Sequence, residues 1–257
     1  MLSMSCSSVK MSEIATELVE YLAPGEKLME GFLAKPKTAE KRPGIIVLHS
    51  WIGRTSFEED IAVKMAKLGY VGFAADVYGK GVRGGPLETN LQLSKPFNDD
   101  RKLFISRLTA ILEKVKTLPG VDPEKIAVVG YCFGGKGALD MARAELDIRG
   151  AVSFHGAYTP IPHSPYHGPI KARILVLHGW EDHVCPPDAT IELCLELSLR
   201  KADWQLIAYS QTEHAFTKPT EYDGQPSPRY NPSTDARSWN AFLAFLKELF
   251  PHVQQQQ

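Results

Sequence analysis

The feature that most constrains the fold is a cysteine, Cys132, inside the glycine-rich segment GYCFGG at residues 130–135. An apolar, β-branched run at residues 126–129 precedes it, and a helix-favouring segment follows. Glycines on both sides permit a sharp turn from strand to helix that lifts the central side chain above the end of the strand. The start of a helix offers free N–H groups and a partial positive charge, which stabilise a thiolate or an oxyanion. The combination favours a nucleophilic thiol over a small packed cysteine.

Short apolar runs alternate with helical patterns along most of the chain. Strands are predicted at residues 44–48, 70–75, 126–129, 150–154, 174–177 and 204–208, and helical patterns include residues 57–68, 99–118 and 236–250. Residues 121–124 (VDPE) indicate a tight turn, and residues 18–22 and 28–34 indicate an N-terminal hairpin. This order predicts an α/β fold with a mainly parallel sheet, helices on both faces and an N-terminal antiparallel hairpin.

Composition narrows the classes of protein and of partner. The chain has 257 residues, 44% of them hydrophobic, and this length and composition favour one α/β domain over residues 13–253. Its net charge of −1 gives no electrostatic reason to expect nucleic acid or a membrane as a partner. Residues 1–12 are expected to form a disordered tail, with Met11 a possible alternative start, and residues 254–257 a frayed one. A small-molecule ligand is the expected partner.

The cysteines and the N-terminal segment indicate a reducing, cytoplasmic location. The four cysteines lack C-x-x-C spacing (Cys6, Cys132, Cys185 and Cys194). The first residues are too short and too weakly apolar for a signal peptide, and no stretch reaches transmembrane length. His163 and His167 stand four apart in a proline-rich segment without a helix, so no metal site is expected there.

A nucleophilic thiol requires a base, and the base requires an orienting acid. Asp182 follows the strand predicted at residues 174–177, and His214 follows the last predicted strand. The order nucleophile, acid, histidine is the one that α/β-hydrolases use. His183 is the main rival base and Glu181 the rival acid, whereas His178 lies within its strand and is expected to pack.

The remaining parts of such a site are expected in three loops. The backbone N–H groups of Phe133 and Trp51 are the predicted oxyanion hole, because Trp51 lies in the loop after the first parallel strand. Two long connections, residues 77–95 and 217–232, leave the carboxyl ends of strands, where open α/β sheets bind ligands. We therefore expect both connections to form walls of the pocket.

These motifs resemble those of the dienelactone hydrolase family, whose members are α/β-hydrolases with a Cys-Asp-His triad. The likeness covers residues 44–250 and rests on GYCFGG at 130–135, GWED at 179–182, HAF at 214–216 and DVY at 76–78. It implies a triad of Cys132, Asp182 and His214 that hydrolyses a small ester or lactone through an acyl-thiol intermediate, without a metal or an organic cofactor.

The family pattern also indicates where this chain departs from it. Ser50 stands where members acting on dienelactone have a glutamate that takes the thiol proton, so activation of the thiol falls to the histidine. Lys80 and Lys218, with Arg83 close by, stand where those enzymes use two arginines for the substrate carboxylate. Tyr78, in the first long connection, completes the expected substrate-binding set.

Two other functions remain open at the level of sequence. The replacement at Ser50 is compatible with a non-catalytic ligand-binding pseudoenzyme of the same fold, and Cys132 could be a peroxide-sensitive thiol. The identity of the substrate and the oligomeric state are not determined by these patterns.

Overall fold

The computed structural model describes residues 14–162, 164–221 and 223–253. Its strands are β1 (Ile14–Ala23), β2 (Lys27–Pro36), β3 (Arg42–Leu48), β4 (Val71–Ala75), β5 (Val121–Tyr131), β6 (Gly150–Phe154), β7 (Arg173–Gly179) and β8 (Trp204–Tyr209). Its helices are α1 (Ser56–Lys67), α2 (Leu87–Asp99), α3 (Arg101–Lys116), α4 (Phe133–Arg143), α5 (Pro187–Leu199) and α6 (Pro232–Leu249). The predicted tails, residues 1–12 and 254–257, lie outside the described residues, and a single domain over residues 13–253 stays a prediction.

Within the described ranges the strands form one eight-stranded sheet in the order β1-β2-β4-β3-β5-β6-β7-β8. The hairpin of β1 and β2 is antiparallel and joins β4 antiparallel, whereas β4, β3, β5, β6, β7 and β8 pair in parallel. The predicted α/β fold with its N-terminal hairpin is thereby confirmed. The topology places β5, the strand that leads to Cys132, in the middle of the parallel part.

Both faces of the sheet are covered, because side chains alternate between them along the central strands. On β5, Ile126 and Val128 pack into a core with α3, α4 and α5, whereas Ala127 and Val129 pack into a second core with α1 and α6. This is the arrangement that near-continuous apolar runs in parallel strands predict. In the part of the chain that the structure describes, no helix is long and apolar enough to cross a membrane.

Three local predictions were wrong. The connection predicted over residues 77–95 contains the start of α2, whose buried side chains Asn90, Ser94 and Phe97 have helical spacing but are mostly polar. The helix predicted over residues 99–118 begins only after Asp100, whose carboxylate accepts the N–H groups of the first turn of α3. Residues 121–124 belong to β5, whose pairing with β3 shifts register between Pro43 and Gly44.

Candidate active site

Cys132 lies at the turn between β5 and α4 and is the residue that precedes the first residue of α4. Its backbone has φ 56° and ψ −113°, a strained conformation for a residue with a side chain. A Cβ on Gly130 would lie 1.9 Å from the carbonyl oxygen of Gly134, and a Cβ on Gly134 would lie 2.3 Å from that of Leu48. The glycines are therefore required because backbone occupies the space that a side chain would need.

The side chains of Asp182 and His214 are joined by a hydrogen bond beyond the ends of β7 and β8. His214 Nδ1 lies 2.8 Å from Asp182 Oδ2, and since a carboxylate only accepts, Nδ1 carries the proton. Asp182 Oδ1 accepts the backbone N–H groups of Val184 at 2.8 Å and Cys185 at 3.3 Å. The carboxylate is 1% exposed, so its orientation is fixed by three donors rather than by water.

The thiol of Cys132 and the imidazole of His214 border the same cavity, and each shifts the pKa of the other. Burial alone would raise the pKa of Cys132, but the charge and hydrogen bond of His214, the N–H of Phe133 and the charge of Lys218 lower it below the ordinary thiol value. Burial likewise opposes the charge on His214, yet the thiolate and the Asp182 carboxylate raise its pKa to about 10. Both shifts favour a thiolate–imidazolium pair at neutral pH.

The two predicted N–H donors of an oxyanion hole lie on opposite sides of Cys132 in the sequence. Phe133 begins α4, and its ring packs on Phe104 with the ring centroids 4.7 Å apart, which fixes the adjoining backbone. Trp51 lies in the loop after β3, where its carbonyl accepts the hydroxyl of Tyr78 at 3.0 Å. Tyr78 therefore supports this loop, and it is not among the residues that border the cavity at Cys132, so the structure does not bring it to the substrate as expected.

A cavity of about 220 Å³ opens above Cys132. Its apolar lining comprises Trp51, Ile52, Val184 and Ala215. Its polar lining comprises Ser50, His155, His183, His214, Lys218, Glu221, Ser227 and Arg229. The connection predicted over residues 217–232 thus supplies one wall, although its residue 222 lies outside the described part of the chain.

A second groove of about 500 Å³ adjoins this cavity and shares Ile52, Lys218 and Glu221 with it. Arg83 lines the groove from the first long connection, half-buried, with Nη1 donating to the carbonyl of Val82 at 2.6 Å.

Ser50 and Lys218 meet at the junction of these two spaces. Lys218 Nζ donates to Ser50 Oγ at 3.2 Å and lies 5.3 Å from the centroid of the Phe57 ring. Ser50 is 3% exposed, so the lysine is bonded to a short, buried hydroxyl. The neighbouring cation then acts on Cys132, whose pKa it helps to lower.

Lys80 is not brought to this site. Its ammonium group pairs with Glu20 and with Glu30, which lie on the N-terminal hairpin, and its side chain is 43% exposed. It is absent from the residues that border the cavity and the adjoining groove. The short glycine-bounded turn after β4 directs Lys80 back along the hairpin, which spacing in the sequence does not reveal.

Glu181 and His178 have partners of their own. Glu181 is exposed and its carboxylate accepts the N–H of Thr212 at 2.9 Å. His178 is buried between the hydroxyls of Tyr158 and Thr190, at 3.0 and 3.2 Å. His183 is exposed at the border of the cavity. Of these histidines and acids, the hydrogen-bonded pair next to the thiol is therefore His214 with Asp182.

Sequence reasoning missed His155, a fully buried residue that borders the cavity. It follows β6, so its position at the carboxyl end of a parallel strand was the available signal. Arg229 and Glu221, an ion pair at 3.0 Å, were also missed because both belong to the irregular connection before α6. Among the described residues, no group of three or more His, Cys, Asp or Glu could hold a metal ion.

Comparison with known proteins agrees with this architecture. A family model described as the dienelactone hydrolase family matches residues 29–250. A putative carboxymethylenebutenolidase of Synechocystis sp. is 26% identical over 251 residues, 93% of this chain and 97% of the relative. An uncharacterized protein of Caenorhabditis elegans is 37% identical over 146 residues, 56% of this chain and 92% of the worm protein.

A solved structure extends the likeness to three dimensions. The dienelactone hydrolase-like promiscuous phosphotriesterase P91, from metagenomic libraries, superposes with a TM-score of 0.85 at 27% identity, over 92% of this chain and 98% of its own. The fold is that of an α/β-hydrolase. Since the family model spans most of the sequence, the chain belongs to the dienelactone hydrolase family. The expectation of a dienelactone hydrolase-like ester or lactone hydrolase is confirmed at this level.

Proposed function

We propose that this hydrolase cleaves small esters or lactones through a covalent acyl-enzyme on Cys132. The observation that carries the proposal is that Cys132 and His214 border one cavity and that His214 Nδ1 lies 2.8 Å from the buried carboxylate of Asp182. The pKa of the thiol is lowered and the pKa of the imidazole is raised. Both shifts favour the thiolate and the imidazolium, which are the forms that a cysteine nucleophile requires at neutral pH.

In the first half of the reaction the Cys132 thiolate attacks the carbonyl carbon of the substrate. The negative charge moves to the carbonyl oxygen, where the N–H groups of Phe133 and Trp51 are the proposed donors. The tetrahedral adduct then collapses to a thioester, and the His214 imidazolium gives its proton to the departing alkoxide. In a lactone the alkoxide stays attached to the acyl group.

In the second half His214, now neutral, accepts a proton from water as the water oxygen attacks the thioester carbon. Collapse of this adduct expels the thiolate and releases the carboxylic acid, and the imidazolium again faces the thiolate. Asp182 keeps the proton on Nδ1 throughout, so Nε2 is the atom that exchanges it. No co-reactant besides water is needed.

The size and charge of the cavity support a small substrate with an anionic or strongly polar substituent. A volume of about 220 Å³ lies below the usual range for drug-sized ligands, about 300–1,000 Å³. Lys218 at the junction and Arg83 in the adjoining groove are the proposed contacts for that substituent, with Ser50 holding the lysine. A lysine acts on a carboxylate as a point charge and lacks the bidentate fork of arginine. A thiolate nucleophile needs reducing surroundings, and we propose a cytoplasmic location on that ground.

The proposal is tested by hydrolysis of short-chain nitrophenyl esters and simple lactones. Wild type, Cys132→Ala and Cys132→Ser are compared, because serine keeps the shape of the side chain but loses the low pKa of the thiol. We expect the alanine variant to fall to the rate of the buffer and the serine variant to lose most of its activity. Equal rates for wild type and Cys132→Ala would overturn the assignment. If wild type hydrolyses none of these substrates and its Cys132 is alkylated no faster than an ordinary thiol, the result would favour the non-catalytic pseudoenzyme.

A further inference from the structure

We infer that His155 is a positioning residue for His214, an inference that rests on the proposed function. His155 is fully buried at the end of β6 and borders the cavity above Cys132. Its ring lies edge-on to that of His214, with the centroids 5.2 Å apart. The proposed mechanism assigns it no proton transfer, so its polarity in this place needs another explanation.

The hydrogen bond of His155 reaches the segment that carries His214. Its Nε2 lies 2.9 Å from the hydroxyl oxygen of Thr217, three residues beyond His214 and directly before Lys218. Thr217 is 4% exposed, so the bond is shielded from competing water. One contact therefore ties both the base and the cation of the site to the end of a central strand.

The backbone of His155 is itself held firmly. Its N–H donates to the carbonyl of Leu177 in β7 at 2.9 Å, and its φ is 38°. A left-handed conformation is unfavourable for a residue other than glycine, and such residues concentrate at functional sites. The strand end thus presents the imidazole in a fixed direction, as an anchor for the connection that follows His214 requires.

Burial, followed by the positive charges in the surroundings, favours the neutral form of His155. Burial lowers its pKa well below the ordinary value, and the positive charges of His214, Lys218 and Arg229 lower it further. A neutral imidazole beside His214 can bond to Thr217 without competing for the proton that His214 exchanges with the thiol. Phenylalanine would keep the ring contact and lose the bond, whereas glutamine would keep a polar atom within reach.

The experiment is a double-mutant cycle of His155→Phe and Thr217→Val, measured as kcat and KM for a nitrophenyl ester. Each change removes one side of the bond, so each is expected to lower kcat about 10- to 100-fold with KM changed less than about threefold, the cost of a displaced catalytic group. The double variant is expected to be no worse than the more impaired single variant. His155→Gln is expected to recover most of kcat.

Thr190→Val is the matched control, because it removes the hydroxyl partner of another buried histidine, His178, which does not border the cavity at Cys132. We expect its kcat within about twofold of wild type, while its melting temperature falls as much as that of Thr217→Val. Thr217→Val preserves side-chain volume and carries the test even if His155→Phe does not fold.

The outcomes separate this inference from the proposed function. If Cys132→Ala is inactive but Thr217→Val matches Thr190→Val in kcat, the inference about His155 is overturned and the proposed function stands. Additive losses in the cycle, with no recovery by His155→Gln, also overturn it. If Cys132→Ala is as active as wild type, both fall together.

Discussion

Replacement of Asp182 by asparagine reverses the proton arrangement of the site while leaving its shape intact. Asp182 Oδ1 accepts two backbone N–H groups, from Val184 and Cys185. The amide oxygen of asparagine must take that place, because an NH₂ group there would face two donors. The NH₂ group then points at His214 Nδ1, which can only accept from it. The imidazole is forced to carry its proton on Nε2, towards the thiol.

The size of the effect follows from this tautomer. A neutral imidazole with its proton on Nε2 cannot take a proton from the thiol, and one of the two charges that raise the pKa of His214 is gone. The same exchange in other triads costs about 10⁴ in kcat, which corresponds to about 5.4 kcal/mol of transition-state stabilisation. We expect Asp182→Asn to lower kcat by about 10³- to 10⁴-fold and to slow alkylation of Cys132 by iodoacetamide at pH 7, since the pKa of the thiol rises.

Glu181→Gln is the control, because Glu181 is the adjacent acid but bonds only to the backbone on the exposed side of the loop. Its kcat is expected within about twofold of wild type. If Asp182→Asn retains kcat within tenfold of wild type, or if Glu181→Gln is equally impaired, Asp182 does not control the proton position on His214. Circular dichroism on both variants separates loss of chemistry from loss of folding.

Three further results are expected. Gly130→Ala places a Cβ 1.9 Å from a backbone oxygen of α4, so the free energy of unfolding in urea should fall by about 3 kcal/mol or more, and a loss below about 1 kcal/mol would contradict the packing argument. Lys218→Met should slow alkylation of Cys132 at pH 7 several-fold, because a charge that lowers the thiol pKa is removed. Lys80→Met should leave that rate and KM unchanged within about twofold, because Lys80 pairs with the hairpin. Equal effects of the two variants would show that the location assigned to one lysine is wrong. Burial raises the pKa of Cys185 to about 12, so brief iodoacetamide treatment at pH 7 should modify Cys132 and not Cys185, as measured by peptide mass spectrometry. Modification of Cys185 before Cys132 would contradict the assignment of Cys132 as the reactive thiol.

The alternation of strands and helices, the strand-to-helix turn at Cys132 and the hydrogen-bonded pair of Asp182 and His214 could be predicted because each depends on a local pattern. Apolar runs define parallel strands, and the carboxyl ends of such strands lie at one edge of the sheet. A residue directly after a run, such as His214, is therefore placed near Cys132 without knowledge of the loops.

The position of Lys80 and the role of His155 depend on features that a local pattern does not contain. Lys80 lies in a glycine-bounded turn, and its direction is set by the acids Glu20 and Glu30 on a hairpin far away in the sequence. His155 has no glycine-rich motif around its side chain, and its importance arises from a contact with Thr217, 62 residues away. Helix α2 was missed because its buried face is mostly polar, so no apolar periodicity marks it in the sequence.

Rapid acid quench of the reaction with a nitrophenyl ester, followed by mass spectrometry of the peptide that contains Cys132, detects a covalent acyl group on the thiol. Acid preserves a thioester, and a substrate whose acyl group is hydrolysed slowly from the enzyme raises its amount. We expect an added acyl mass on that peptide in wild type, removed by hydroxylamine and absent from Cys132→Ala. An active enzyme with no acyl mass on Cys132 at any quench time, or with the mass on another residue, would rule out the proposed acyl-enzyme.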